Sequence, residues 1–166
     1  MNDQNTRSAT RLAAVQALYE MELTGVAADS VLDEFLRNRW KPKDGEPEAE
    51  PGDEDLSTLA ETDAGQLAEL VRGVSERKDD IDGMIGPALS SDWTVERLEV
   101  LLRVIIRAGT YELLVKSDVP AKVVISEYVD VAKAFYEKSQ PGMVNGVLDK
   151  LAHALRAPEM KQANEG

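Results

Sequence analysis

Apolar residues recur at intervals of three and four along most of the chain, and this spacing restricts the fold more than any other feature of the sequence. The clearest run lies between residues 95 and 114, with apolar positions at Val95, Leu98, Leu101, Leu102, Ile105, Ile106, Leu113 and Leu114. Because an α-helix turns once in 3.6 residues, this run predicts a helix buried on several sides. No segment shows the strict apolar–polar alternation of a half-buried strand. We therefore predict an all-α protein.

The dipeptide Asn145-Gly146 challenges that prediction, because Asn-Gly most often forms the tight turn between two strands. The apolar residues around it are nevertheless spaced as in a helix: Met143, Val144, Val147, Leu148, Leu151, Ala152 and Leu155. We expect a last helix that starts just before Pro141, since proline is favoured in a first helical turn. Glycine inside a helix costs about 1 kcal/mol relative to alanine. We expect close packing at Gly146 to offset this cost, with contact to a ligand as the alternative.

The same spacing predicts the other helices, about seven in all. The first spans about residues 7–24, and the second begins at Asp29 or Ser30, either of which can cap a helix. A third begins near Thr62 and is expected to bend at Gly83, Gly86 and Pro87, with two separate helices as the alternative. Another starts at Pro120, and its predicted buried face consists of Val124, Tyr128, Val131, Ala132 and Phe135.

Acidic residues are concentrated in one segment. The net charge is −12, but residues 41–63 alone hold nine acids against two lysines, so a cationic surface elsewhere is compatible with the composition. Residues 41–61 also contain three prolines and two glycines and almost no apolar residues, which predicts an acidic mobile loop. We expect a single domain over residues 1–166, and divide it into an amino-terminal helical subdomain (about 7–80), a carboxy-terminal helical subdomain (about 81–156) and a polar tail (157–166).

The composition argues against catalysis. The chain has no cysteine, which excludes disulfides, cysteine–zinc sites and thiol nucleophiles, and its only histidine is His153, for which we expect a structural or exposed role. No glycine-rich phosphate loop is followed by the lysine and hydroxyl residue it requires. No leader or long apolar run suggests export or membrane insertion. We expect a cytoplasmic protein that is not an enzyme and uses no metal or cofactor.

Binding is the remaining class of function. Arg7 and Arg11 are four residues apart, so a helix places them on one side, and guanidinium groups suit phosphate contact. A charged face is also usual on any amphipathic helix, which is the alternative for these arginines and for Arg107, Lys122 and Lys133.

Several stretches, taken in order, resemble the NusB family of transcription antitermination factors. They cover nearly the whole chain apart from the acidic segment: 14–19 (Ala-Val-Gln-Ala-Leu-Tyr), Ile106-Arg107 with 111–113 (Tyr-Glu-Leu), 117–120 (Ser-Asp-Val-Pro), Lys122-Val123 with Glu127, Ala132-Lys133, and 144–150 (Val-Asn-Gly-Val-Leu-Asp-Lys). The resemblance implies two small helical bundles packed together. It also implies a non-enzymatic adaptor that binds the boxA element of ribosomal RNA leaders together with NusE, a small-subunit ribosomal protein. Such an adaptor helps RNA polymerase, within an antitermination complex, to read through terminators.

The resemblance further indicates which residues make these contacts. The candidates for RNA binding are Arg7, Arg11, Arg107, Lys122, Ser139, Gln140 and Met143. Tyr19 is the candidate for contact with a protein partner, with core packing as the alternative. Many family members carry more arginine where this chain has Ser8, Ala9 and Thr10, and an aromatic residue in place of Met143.

Two other functions compete with this interpretation. The first is a helical protein–protein adaptor without specific RNA binding, suggested by the sparse arginines. The second is enzymatic, because a similar helical domain occurs fused to ribosomal RNA cytosine methyltransferases. The sequence has neither the cysteine nucleophile nor the glycine-rich cofactor loop that such an enzyme needs, so we disfavour it.

Overall fold

The computed structural model of the protein describes residues 2–38 and 54–165, which form eight α-helices and one 3₁₀ turn and contain no strand. The all-α prediction is confirmed, and the helix spacing of the sequence accounts for it. The helices are α1 (Asn2–Thr24), α2 (Ala28–Asn38), α3 (Glu54–Glu76), α4 (Lys78–Ala88), α5 (Val100–Val115), α6 (Ala121–Phe135), α7 (Gln140–Leu155) and α8 (Ala157–Glu165), with the 3₁₀ turn at Val95–Arg97. No helix in these ranges is long and apolar enough to cross a membrane.

Two segments predicted to be irregular are helical. Residues 41–53 of the expected acidic loop lie outside the described residues, but the chain is helical from Glu54 rather than from about Thr62. Between Gly52 and Gly65 it has no glycine or proline to interrupt a helix. The expected polar tail forms α8, because Met160 provides an apolar side chain that is 5% exposed.

The break between the third and fourth helices also differs from the prediction. It falls at Arg77, whereas Gly83, Gly86 and Pro87 all lie within α4. Pro87 is next to the last residue of α4, where its missing N–H affects only the final turn. Similarly, Asp29 lies inside the first turn of α2 and not at its cap.

The chain divides into two compact units, residues 1–75 (unit 1) and 76–166 (unit 2). In unit 1, α1 packs against α2. An ion pair joins α3 to α2, with Arg72 Nε 2.8 Å from Asp29 Oδ1. The apolar faces of α1, α2 and α3 are buried at Val15, Val31, Phe35, Leu67 and Val71.

Unit 2 is built around α5, as its apolar run predicts. Every residue of α5 from Val104 to Leu113 is buried, and α6, α7 and α4 all pack against it, while α8 packs against α7. Two polar residues in this core bond to each other: the Tyr128 hydroxyl donates to the carboxylate of Glu112. A bonded pair avoids the cost of burying an unpaired polar group.

Close packing between α5 and α7 occurs at Gly109. A Cβ atom placed there would lie 2.8 Å from Leu148 Cδ1 and 3.4 Å from Tyr128 Cδ2, and both of these side chains are fully buried. At Gly146, by contrast, a Cβ would meet nothing within 4 Å. The prediction that Gly146 serves close packing is therefore wrong, since its position faces open space.

These two glycines provide a matched pair of substitutions. Gly146→Ala should raise the free energy of unfolding by about 0.5–1 kcal/mol, because alanine favours the helix and nothing obstructs it. Gly109→Ala should lower it by about 1 kcal/mol, because the cost of overpacking the core exceeds the gain in helix propensity. Urea unfolding of both variants measures the difference, and equal stabilisation by the two would show that α5 and α7 have room to separate.

Candidate nucleic-acid interface

The amino-terminal arginines differ in exposure. Arg7 is exposed on α1, whereas only 6% of Arg11 is exposed. Thr6 and Thr10 are also buried, and the Thr10 hydroxyl donates to the carbonyl of Thr6 over 2.9 Å. The four-residue spacing therefore does not present both arginines to solvent, and in unit 1 Arg7 is the accessible phosphate-binding candidate.

Arg107 is part of the core of unit 2. It is 3% exposed, and its Nε and Nη2 atoms each donate over 2.7 Å to one carboxylate oxygen of Asp82. This bidentate bond joins α5 to α4. The guanidinium is enclosed and directed at Asp82, which argues against the RNA contact expected of Arg107; that contact stays a prediction. The sequence signal was ambiguous, since the partner is 25 residues away.

The start of α7 brings three of the candidates together. Ser139 is the exposed N-cap residue, and its side chain makes no capping hydrogen bond. Gln140 and Met143 are half-buried, and Gln140 Oε1 is enclosed without a hydrogen-bond partner in the described part of the chain. The amide groups of a helix amino terminus favour anions. This end of unit 2 therefore combines uncapped amides with polar side chains.

A groove of about 640 Å³ runs along α6 and α7 and reaches α8. It is lined by Lys122, Ile125, Ser126, Val129, Asp130, Lys133, Asn145, Asp149, His153 and Met160. Lys122, a candidate for RNA contact, is exposed on this groove, and Asn145 lines the same groove. Lys122 and Lys133 are balanced here by Asp130 and Asp149, so the groove as a whole is close to neutral at pH 7.

His153 lines the groove beside Asp149. It is exposed, and its Nδ1 bonds to the carbonyl of Asp149 four residues earlier over 2.8 Å. Within the described ranges, no three histidine or carboxylate groups cluster as metal ligands would. Tyr19, the candidate for a protein contact, is half-buried on α1.

The segment before Lys122 is held by Arg156, which the sequence analysis did not single out. Its buried guanidinium donates to the carbonyls of Glu112, Leu113, Lys116 and Val119 over 2.7–3.1 Å. These carbonyls belong to the end of α5 and to the connection that leads into α6. The sequence around Arg156 does not indicate these partners, because they lie up to 44 residues earlier in the chain.

Glu159 extends this network from α8 to the start of α6. Its Oε2 accepts from Arg156 Nη1 over 3.1 Å, and its Oε1 accepts from the backbone N–H of Ala121 over 2.7 Å. The bond from Ala121 and, secondarily, Arg156 hold the pKa of Glu159 below its ordinary value of 4.5, although partial burial acts in the opposite direction. The network positions the first turn of α6, and with it Lys122.

The chain is similar to proteins of one known family. A model of the NusB family matches residues 8–153. Two similar proteins are named transcription antitermination protein NusB. That of Sinorhizobium fredii (strain NBRC 101917 / NGR234) is 42% identical over 158 residues, 95% of this chain and 92% of the relative. That of Caulobacter vibrioides (strain ATCC 19089 / CIP 103742 / CB 15) is 45% identical over 150 residues, 90% and 94% of the two chains. A solved structure of NusB from T. maritima has a TM-score of 0.69 at 29% identity, covering 88% of this chain and 89% of that one.

Neutralising Glu159 should reveal its contribution to stability. A carboxylate whose pKa is lowered by folding stabilises the protein above its unfolded pKa, and this stabilisation is lost as the pH falls through the folded pKa. Because its side chain is 40% exposed and a glutamine oxygen can still accept from Ala121, Glu159→Gln should lower the free energy of unfolding at pH 7 by less than about 1 kcal/mol. The difference from wild type should shrink below pH 4.5. Urea unfolding over this pH range measures it, and a difference that does not vary with pH would contradict the assignment.

Removing the Arg107 side chain should lower the stability of the protein. Breaking a buried ion pair costs about 3–5 kcal/mol when the other charge stays fully buried. The Asp82 side chain keeps 24% exposure, so we expect Arg107→Ala to lower the free energy of unfolding by about 1–3 kcal/mol.

Arg72→Ala is the matched control for this substitution. It breaks the exposed 2.8 Å pair with Asp29 and should cost less than about 1 kcal/mol. Equal losses in urea unfolding would show that Arg107 does not act through its buried bond to Asp82.

Proposed function

We propose, because this chain belongs to the NusB family, that it is a transcription antitermination factor. The observation that carries the proposal is the family match over residues 8–153, supported by relatives named transcription antitermination protein NusB along nearly their whole length. In this role the protein binds boxA-type single-stranded RNA of ribosomal RNA leaders together with NusE. It joins the RNA polymerase antitermination complex and supports readthrough of terminators. This role implies a cytoplasmic location and requires no catalytic step.

The accessible candidates support an RNA contact of limited strength. Arg7 in unit 1 and Lys122 in unit 2 are exposed cations suited to phosphates. The start of α7 adds backbone amides that no side chain caps, beside the exposed Ser139. Asn145 and Gly146 are exposed on the next turn, where the missing Cβ at Gly146 allows a strand to approach the backbone. Contact to RNA therefore replaces packing as our explanation of Gly146.

The proposed mechanism is additive. A few phosphate and base contacts give the isolated protein modest affinity for RNA. NusE bound to both the protein and the RNA makes each further contact intramolecular, which raises the effective concentration of the parts. Specificity in this scheme belongs to the assembly, with Tyr19 as a proposed contact to NusE.

A second function is favoured by one observation. Two of the four cationic candidates, Arg11 and Arg107, are buried, which leaves a small cationic surface on a chain of net charge −12. A protein–protein adaptor without specific RNA binding would not need a larger cationic surface. The two functions differ in their response to salt, because only phosphate contacts release counterions.

Titration of labelled boxA-type RNA tests the proposal. We expect tighter binding than to a scrambled RNA of equal length, a further gain with NusE, and weaker binding at higher salt. Lys122→Ala should reduce the slope of log affinity against log salt by about 0.7, the contribution of one phosphate on a single strand.

Glu137→Ala is the control for Lys122→Ala, since it removes an exposed charge of the opposite sign from the connection between α6 and α7 and should not lower the affinity. Equal binding of both RNAs with and without NusE would exclude the RNA-binding function and leave the protein–protein adaptor.

A further inference from the structure

We infer that Phe135 provides an aromatic surface on which one base of unpaired RNA stacks, at the corner where α6 leads into α7. The inference rests on the proposed RNA-binding function and deepens it. The candidates discussed so far contact phosphates or offer polar groups, whereas Phe135 would contact the face of a base.

Phe135 is exposed where its sequence position predicts burial. It follows Tyr128 and Val131 on the core side of α6, and these residues are fully buried and 6% exposed. Phe135 itself is 41% exposed. The prediction of burial is wrong because Phe135 is the last residue of α6, where the helix ends and the burial of the preceding turns does not continue. The core that covers Tyr128 does not cover it.

The exposed ring lies close to the start of α7. Residues 136–139 join Phe135 to Gln140, so their Cα atoms are at most about 18 Å apart. The two helices pack against each other, which keeps the end of α6 beside the first turn of α7. Phe135 and Ser139 are both exposed. A strand held at the uncapped amides of α7 needs only a few nucleotides to reach the ring.

The charges around Phe135 favour a polyanion. Lys133 and Lys138 are exposed on either side of it in the sequence, with Glu137 as the one acid between them. Residues 133–138 carry a net charge of +1. Because Asp130 balances Lys133 in the groove of α6 and α7, we assign the phosphate contact beside Phe135 to the exposed Lys138. RNA phosphates gain from such lysines, and the aromatic face is equally suited to any base.

A single exposed apolar residue is common on protein surfaces, and Trp93 shows the difference. It is 40% exposed on the connection between α4 and α5. The guanidinium of Arg97 already lies over its ring, 5.5 Å from the centroid. Exposed Asp92 and Glu96 are its acidic neighbours. Trp93 thus has a partner and an acidic setting, whereas Phe135 is flanked by cations.

The test compares Phe135→Ala, Phe135→Leu and Phe135→Tyr in binding to boxA-type RNA without NusE. Phe135→Ala should weaken binding about five- to thirtyfold, the lower part of the range for one base on an aromatic ring. Phe135→Tyr should bind nearly as wild type, and Phe135→Leu should recover only part of the loss because it lacks an aromatic face. The salt dependence should be unchanged, since phenylalanine neutralises no phosphate.

Trp93→Ala is the matched control, because it removes an equally exposed aromatic residue from the same unit, and it should bind RNA as wild type does. If wild type does not distinguish boxA-type from scrambled RNA, the proposed function fails. If wild type does distinguish them but the alanine and leucine variants bind as tightly as it does, the inference about Phe135 alone is overturned. A loss seen only when NusE is present would also overturn it, by assigning Phe135 to the protein partner. Should Phe135→Ala fail to fold, the near-isosteric leucine and tyrosine variants decide the question.

Discussion

The packing of unit 2 depends on the close approach of α5 and α7 at Gly109. A glycine in the middle of a buried helix weakens that helix, and here the loss is offset because the two Cδ atoms of Leu148 occupy the space that a Cβ would take. The approach lets α5 contact α6 and α7 at once, so that one helix forms the centre of the unit. It also fixes the position of α7, whose first turn carries most of the candidate RNA contacts in this unit.

Much of this fold follows from the spacing of apolar residues. The central position of α5 and the helical state of Asn145-Gly146 were both predictable, because burial on one or several sides imposes a period of 3.6 residues. The spacing indicates which side of a helix faces the core but not where the core ends. Phe135 was misjudged for that reason, and Met160 escaped notice because one apolar residue makes no periodic pattern.

The candidate interface was less predictable than the fold. The sequence alone does not show whether an arginine is exposed to phosphate or paired with a carboxylate inside the protein. The carboxylate that pairs with it can lie far away in the sequence. The bond to Asp82 keeps Arg107 inside unit 2, while Lys122 stays exposed on a groove that it shares with Asp130 and Asp149. For Gly146 the sequence left both packing and ligand contact open. The structure excludes close packing, since a Cβ there would meet nothing within 4 Å, and only then is ligand contact the better explanation. The proposed function comes from the family resemblance, and the structure distinguishes the exposed candidate residues from the buried ones.

The hydrogen bond between Glu159 and the backbone of Ala121 has a consequence for synthesis of the protein. The two residues are 38 positions apart, and Arg156 reaches back a further distance to the end of α5. While the ribosome is still making α7, the amino terminus of α6 lacks the carboxylate that later satisfies it. The first turn of α6 therefore acquires its complete set of hydrogen-bond partners only after α8 has been synthesised.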